Sequence, residues 1–158
     1  PAALSYGDIV PACGVARKDL GEEVARYPER GARYRIYDTA PGTVALREHY
    51  ITGFSDGCPR QFMAALALFG DVTAYETTRY RDKRNTTIET PSDIEYRALR
   101  ARICGAPVGE TCPTRRVSQL EKRAVFVSVY DRLDTSPVWA DMLLYNGALL
   151  AKDFKTIQ

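Results

Sequence analysis

The chain has 158 residues, 45% hydrophobic and 27% charged, with a formal net charge of +2. Those values fit a single globular domain with a real core and argue against a disordered chain. The longest apolar stretch, Phe62 to Phe69, is too short to span a membrane, and the small bulk charge gives no reason to expect nucleic acid as a partner.

The first thirty residues are poorly patterned and read as a loop-rich arm, with Pro11, Pro28 and several glycines interrupting any long element. Within it, Asp19 to Arg26 suits a short helix capped by Asp19. Arg33–Tyr37 and Val44–Phe54 read as two strands of a hairpin, joined by the turn formers of Asp38-Thr-Ala-Pro-Gly42. Pro59 to Phe69 has helical spacing, with Phe62, Leu66 and Phe69 on one face, Pro59 in the first turn and Gly70 as the stop. Val72 to Glu89 mixes Thr and Tyr with many charges and is ambiguous. A second helix is expected over 91–104. Thr90 and Asp93 resemble a capping box, Gly105 supplies the stop, and Ile94, Ala98 and Ala101, flanked by Leu99 and Ile103, form its apolar stripe.

Farther on, Val125, Val127 and Val129 alternate with Phe126, Ser128 and Tyr130, as in a half-buried strand. Asn146-Gly147 is a two-residue hairpin signal. Counting outward from it places Leu144 opposite Leu149, Asp141 opposite Lys152 and Trp139 opposite Phe154. The hairpin is apolar on both faces near its turn. One face should pack on the helices; the other needs the N-terminal arm, a loop or another chain, which makes it a candidate oligomer or partner contact. No repeat or linker interrupts the chain. The expected fold is one α+β domain over 1–158, with a single antiparallel sheet of about 4–6 strands and two main helices, about 59–69 and 91–104.

Four cysteines, Cys13, Cys58, Cys104 and Cys112, together with a first residue that is Pro, suggest a processed, exported domain with two disulfides. The expected setting is the bacterial periplasm or the extracellular space, after signal-peptide removal. Four cysteines allow three pairings. Cys104–Cys112 and Cys13–Cys58 are preferred, one closing a short Gly- and Pro-containing loop and the other pinning the N-terminal arm. There is no Cys-x-x-Cys, and His49 stands apart from the Cys104/Cys112 pair in sequence, so no metal site and no cofactor are expected.

His49, within Arg47-Glu48-His49-Tyr50, is the only histidine and the natural proton carrier. A small hydrolase could be built on it with a carboxylate such as Glu48 or Asp131. Adjacent strand residues point to opposite faces, however, so Glu48 and His49 are no dyad by adjacency alone. Cys58, at the start of the expected helix and close to Arg60, could be a reactive thiol, giving a thiol oxidoreductase as a further alternative. The preceding Ser55-Asp56-Gly57, with Arg60, could cradle an anion at the same helix start.

Charge distribution gives the leading reading. Residues 79–123 carry eleven Lys/Arg against six Asp/Glu, most of the excess being arginine, including Arg79, Arg81, Arg84, Arg97, Arg100, Arg102, Arg115, Arg116 and Arg123. Arginine suits bidentate contact with carboxylate, phosphate or sulfate, and Tyr75, Tyr80 and Tyr96 could add stacking surface. The chain is therefore read as a secreted or periplasmic binding or accessory domain without a catalytic centre. Arg97, Arg100, Arg102 and Arg60 would bind an acidic protein, polysaccharide or lipid headgroup. Asn85-Thr86-Thr87 fits the N-glycosylation acceptor pattern.

Overall fold

The computed structural model describes residues 4–76, 89–105, 110, 112–134 and 138–156. Over the first part of the chain the governing period is two. β1 (Ile9–Pro11), β2 (Glu22–Tyr27), β3 (Tyr34–Asp38), β4 (Arg47–Thr52) and β5 (Arg60–Ala64) form an antiparallel sheet in the order β1-β5-β4-β3-β2. A second antiparallel sheet, β6-β7-β8-β9, is built from β6 (Leu66–Gly70), β7 (Ala124–Tyr130), β8 (Val138–Tyr145) and β9 (Ala148–Thr156). The molecule is thus α+β with two sheets of five and four strands, not the single sheet expected.

The sheets share one core. Tyr34, Ile36, Ile51, Phe62 and Ala64 from the first meet Ala67, Val125, Val127, Val129, Met142 and Leu144 from the second. The other side of the second sheet is covered by α1 (Val72–Glu76), α2 (Pro91–Cys104) and α3 (Thr114–Glu121). There Tyr96, Leu99 and Leu120 pack with Phe126 and Leu143. β7 is therefore covered on both faces along most of its length, which is why Phe126 is buried along with Val125, Val127 and Val129, while Ser128 and Tyr130 are only half-buried.

The expected helix over 59–69 is replaced by β5 and β6, with only Ala65 between them. Its Ala, Leu and Met favour helix, but a short apolar run is equally a buried strand, and distant pairing decides. Phe62 is registered against both Ile9 and His49, and Phe69 against Val127. The expected helix over 19–26 is likewise replaced, by a 3-10 turn at Arg17–Asp19 followed by β2.

α2 spans its expected residues, and the flanking Leu99 and Ile103 pack inward, but the expected stripe itself does not. Tyr96, Leu99, Arg100 and Cys104 are buried, whereas Ile94, Ala98 and Ala101 are exposed. Polar bonds, described below, orient this helix more strongly than its apolar stripe does. The C-terminal hairpin departs from simple counting as well. Leu144 faces Leu149, an irregularity follows, and then Leu143 faces Ala151, Asp141 faces Asp153 and Trp139 faces Lys155. One extra residue in β9 shifts the register, so Asp141 does not lie opposite Lys152. At the hairpin end, Asn146 and Gly147 have φ of 49° and 82°. A Cβ on Gly147 would collide with Arg33 and Ser55, which hold this end against the first sheet.

Disulfides join Cys13 to Cys58 and Cys104 to Cys112. The first fixes the N-terminal arm along β5. Tyr6 then reaches between the sheets, donating to the Val129 carbonyl (2.7 Å) and accepting from the Ala140 N–H (3.0 Å). The second face of the hairpin is therefore covered from within the chain, by the first sheet and this arm.

Candidate functional site

His49 sits on β4, facing into the sandwich. Its side chain is 2% exposed, its ring stacks on Phe62 at 5.5 Å, and its Nε2 lies 3.5 Å from Asp38 Oδ2. The acid beside it is thus Asp38, from the neighbouring strand, and not Glu48 or Asp131, both of which are exposed. Asp38 is already held by Arg47, whose Nε and Nη2 donate to its two oxygens at 2.9 and 2.7 Å. Burial would raise the Asp38 pKa, but Arg47, the Ala40 N–H and His49 bring it below its ordinary value. Burial pushes His49 down, with the Arg47 carbonyl and Asp38 opposing. A neutral imidazole stacked in the core, with its one acid committed to an arginine, has no access to a substrate. The pair braces β3 against β4.

The structure also separates Cys58 from the chemistry expected of it. Residue 58 precedes a strand, so no helix terminus acts on its sulfur, and that sulfur is bonded to Cys13. Arg60 does not form an open anion cradle with Ser55-Asp56-Gly57. It donates to both Asp56 oxygens at 3.1 and 2.9 Å and lies over the Phe54 ring at 4.3 Å. Asp56 falls below its ordinary pKa through Arg60 first and the Cys58 N–H second.

The three arginines of α2 have different environments. Arg100 is 3% exposed and its Nε donates to both Glu76 oxygens at 3.0 and 2.9 Å. Tyr96 Oη and the Cys112 N–H complete the shell of Glu76, at 2.7 and 2.9 Å. This network ties α1, α2 and the disulfide loop together beneath the surface, so Arg100 is a structural residue and not part of a binding face. Arg97 and Arg102 do reach solvent, Arg97 bonding Glu89 at 2.6 Å. Along α3 and just beyond it, Arg115, Arg116, Lys122 and Arg123 are exposed as well. Among the described residues, Arg102, Arg115, Arg116 and Arg123 make no ion pair. Both helices cover the same face of the second sheet, and Arg123 lies in the turn that leads from α3 into β7. Arg79, Arg81, Arg84, Tyr80 and the Asn85-Thr86-Thr87 sequon lie outside the described residues.

Sequence reasoning missed a polar cluster where α2 meets β9. Lys155 Nζ donates to Thr90 Oγ1 (2.6 Å), Ser92 Oγ (2.9 Å) and Asp93 Oδ1 (3.2 Å). It also lies 3.6 Å from Asp153 and 3.9 Å from Asp141. Asp153 accepts from the Ser92 N–H at 2.7 Å, and Asp93 accepts from Tyr75 Oη at 2.5 Å. Asp141, opposite Asp153 and 5% exposed, accepts from Ser128 at 3.2 Å. Burial pushes the Asp141 pKa up to about 7, with Lys155 opposing and Asp153 adding to the rise. Asp93 ends below its ordinary value, because Tyr75, Thr90 and Lys155 outweigh burial. The signal for this cluster was present as Asp141 and the alternating Asp153/Lys155, but only the shifted register brings Asp141 and Asp153 together.

The cluster holds the first turn of α2 at a fixed distance from β9 and leaves a groove on the outer side. The groove, of about 400 Å³, is lined by Pro91, Ile94 and Glu95 of the helix and Leu150, Ala151 and Lys152 of the strand. Among the described residues, no group of three or more His, Cys, Asp or Glu side chains is arranged to hold a metal ion, and no helix is long and apolar enough to cross a membrane. Comparison with known proteins gives no match, whether to a protein-family model, a curated sequence or a solved structure.

Proposed function

We propose that the protein is an exported, disulfide-braced binding domain without a catalytic centre, which takes an acidic partner on the outer surface of its helical layer. The observation that carries this reading is the set of exposed guanidinium groups on α2, on α3 and just after it. Arg102, Arg115, Arg116 and Arg123 have no carboxylate partner among the described residues, and Arg97 shares Glu89. Arginines left unpaired on one surface, with their planar forks free, suit carboxylate, sulfate or phosphate groups. Two disulfides favour an oxidising compartment, where acidic proteins, acidic polysaccharides and lipid headgroups are the available anions. The interior duties of His49 and Cys58 weigh against the hydrolase and thiol oxidoreductase readings.

The test is retention on immobilised heparin, binding to vesicles containing anionic lipid, and binding to polyglutamate, each measured for the native chain and for Arg102→Glu/Arg115→Glu/Arg116→Glu. The proposal expects affinity for at least one polyanion to fall about tenfold or more, as loss of complementary charge does, at an unchanged melting temperature. Equal binding of all three probes by the variant and the native protein would contradict it.

A further inference from the structure

We propose that a proton on Asp141 latches the start of α2 to β9, and that its loss as pH rises releases this end of the helix while the two-sheet core stays folded. The proposal is independent of the acidic-partner reading.

The first support is a shortage of positive charge and of hydrogen-bond donors in a closed space. The side chains of Asp93, Asp141 and Asp153 are 8%, 7% and 5% exposed, and Lys155 Nζ lies 3.2, 3.9 and 3.6 Å from them. Three carboxylates around one ammonium leave two uncompensated negative charges if all are ionised, which burial strongly disfavours. An ammonium has three N–H groups, and Thr90, Ser92 and Asp93 already take those of Lys155. Asp153 Oδ2 accepts from the Ser92 N–H, but its Oδ1 is buried and accepts no hydrogen bond among the described residues. A proton on Asp141 relieves both shortages. It removes one charge and puts an O–H donor on the residue registered directly opposite Asp153. Ser128 donates to Asp141 Oδ1, so Oδ2 is the oxygen left for the proton.

The second support is what the latch fastens. Side chains alternate along β8, so Asp141 shares its face with Leu143, which packs under the helices. α2 lies against both β8 and β9, and its first turn is the part bonded to this cluster. The groups facing Asp141 are Ser128 and Tyr130 from β7, Asp153 and Lys155 from β9, and Asp93 from α2, which in turn accepts from Tyr75 of α1. Burial does most to raise Asp141, Lys155 and Ser128 oppose it, and Asp153 and Asp93 add to the rise. Lifting the first turn of α2 takes Asp93 away and admits water, so the open arrangement holds the proton less tightly.

Linkage then fixes the sign. Closure is strongest below the pKa of the open arrangement and weakens as pH rises through the closed value, about 7. Asp93 is held below its ordinary value and stays ionised over this range.

The experiment is native-state hydrogen exchange on the full chain labelled with nitrogen-15, from about pH 5 to about pH 8, corrected for the intrinsic pH dependence of exchange. The readout is the Ser92 amide, which donates to Asp153, compared with Val127 in the central strand β7. Ser92 protection should fall at least about tenfold across the range. At the upper pH its exchange should depend only weakly on urea, the mark of local opening, while Val127 keeps the steep dependence of whole-molecule unfolding. In Asp141→Asn, Ser92 protection should stay level. In Asp153→Asn, which keeps an oxygen for the Ser92 N–H and removes a charge facing Asp141, the fall should move to lower pH. Ser92 protection that is the same at both ends of the range in the native chain would overturn the proposal. So would a fall that survives in Asp141→Asn, one that stays at the same pH in Asp153→Asn, or one with the urea dependence of Val127.

Discussion

Single side chains decide which parts of this molecule are interior and which are available. Arg100 is the clearest instance, because a guanidinium fully enclosed with Glu76 leaves an uncompensated buried carboxylate when it is removed. Arg100→Ala should therefore cost about 3–5 kcal/mol in denaturant unfolding. A loss under about 1 kcal/mol would show that the Glu76 shell is not a buried network. Asp141 makes a separate prediction with a definite sign. Its folded pKa, about 7, lies above its ordinary value of 3.8, so the native state holds this proton more tightly than the unfolded chain does. Stability from this group is fully present below the unfolded pKa and is lost as pH rises through the folded one. Asn cannot ionise, so Asp141→Asn should gain on the native protein between about pH 4 and pH 7, and the gap should then stay level. Parallel melting-temperature curves across that range would refute the assignment. Asp38 and Asp93 act the other way, their stabilisation fading as pH falls, which is why the comparison must be made against the variant and not read from the native curve alone.

Elements are held as much by covalent and polar ties as by apolar pattern, and this explains what the sequence did and did not reveal. Opening Cys13–Cys58, with its sequence separation of 45, should cost more than opening Cys104–Cys112, with a separation of 8. Loop entropy puts the two at about 4 and about 2.6 kcal/mol. Serine pairs at each site, compared by urea unfolding, would check the order; the reverse order would mean that the arm contributes less than its tie to β5 implies. The pairing was among those the cysteine spacing allowed, and the bounds of α2 followed from Thr90, Pro91, Asp93 and Gly105, because caps are local signals. β5 and β6 were hidden because Phe62 and Phe69 have i and i+7 spacing, while their true neighbours, His49 and Val127, are far off in sequence. The buried side of α2 was misread for a related reason. Tyr96 and Arg100 look like surface residues until Glu76 is placed beside them. The polar cluster at β9 was out of reach because one extra residue in the strand changes which side chains face each other.

Taken whole, the molecule is a sandwich whose second sheet carries a helical layer on its outer side, and Arg102, Arg115, Arg116 and Arg123 are exposed on or beside that layer. On the first sheet Glu23 pairs with Arg26 and Arg35, while Arg30 and Arg33 in the loop between β2 and β3 are exposed and make no ion pair among the described residues. α2 and α3 also present arginines, of which Arg102, Arg115 and Arg116 have no carboxylate partner among the described residues. Of the arginines singled out in the sequence, Arg97 and Arg102 lie on this surface, whereas Arg100 and Arg60 are turned to internal use. The helical layer is fixed by the Cys104–Cys112 disulfide and by the buried Arg100–Glu76 pair. The most direct measurement is backbone amide shift mapping of the labelled full chain with polyglutamate at low salt. The account predicts that the perturbed amides cluster at Arg97, Arg102, Arg115, Arg116 and Arg123 and that added salt removes the effect. Perturbations centred on the first sheet, or none at millimolar ligand, would contradict it.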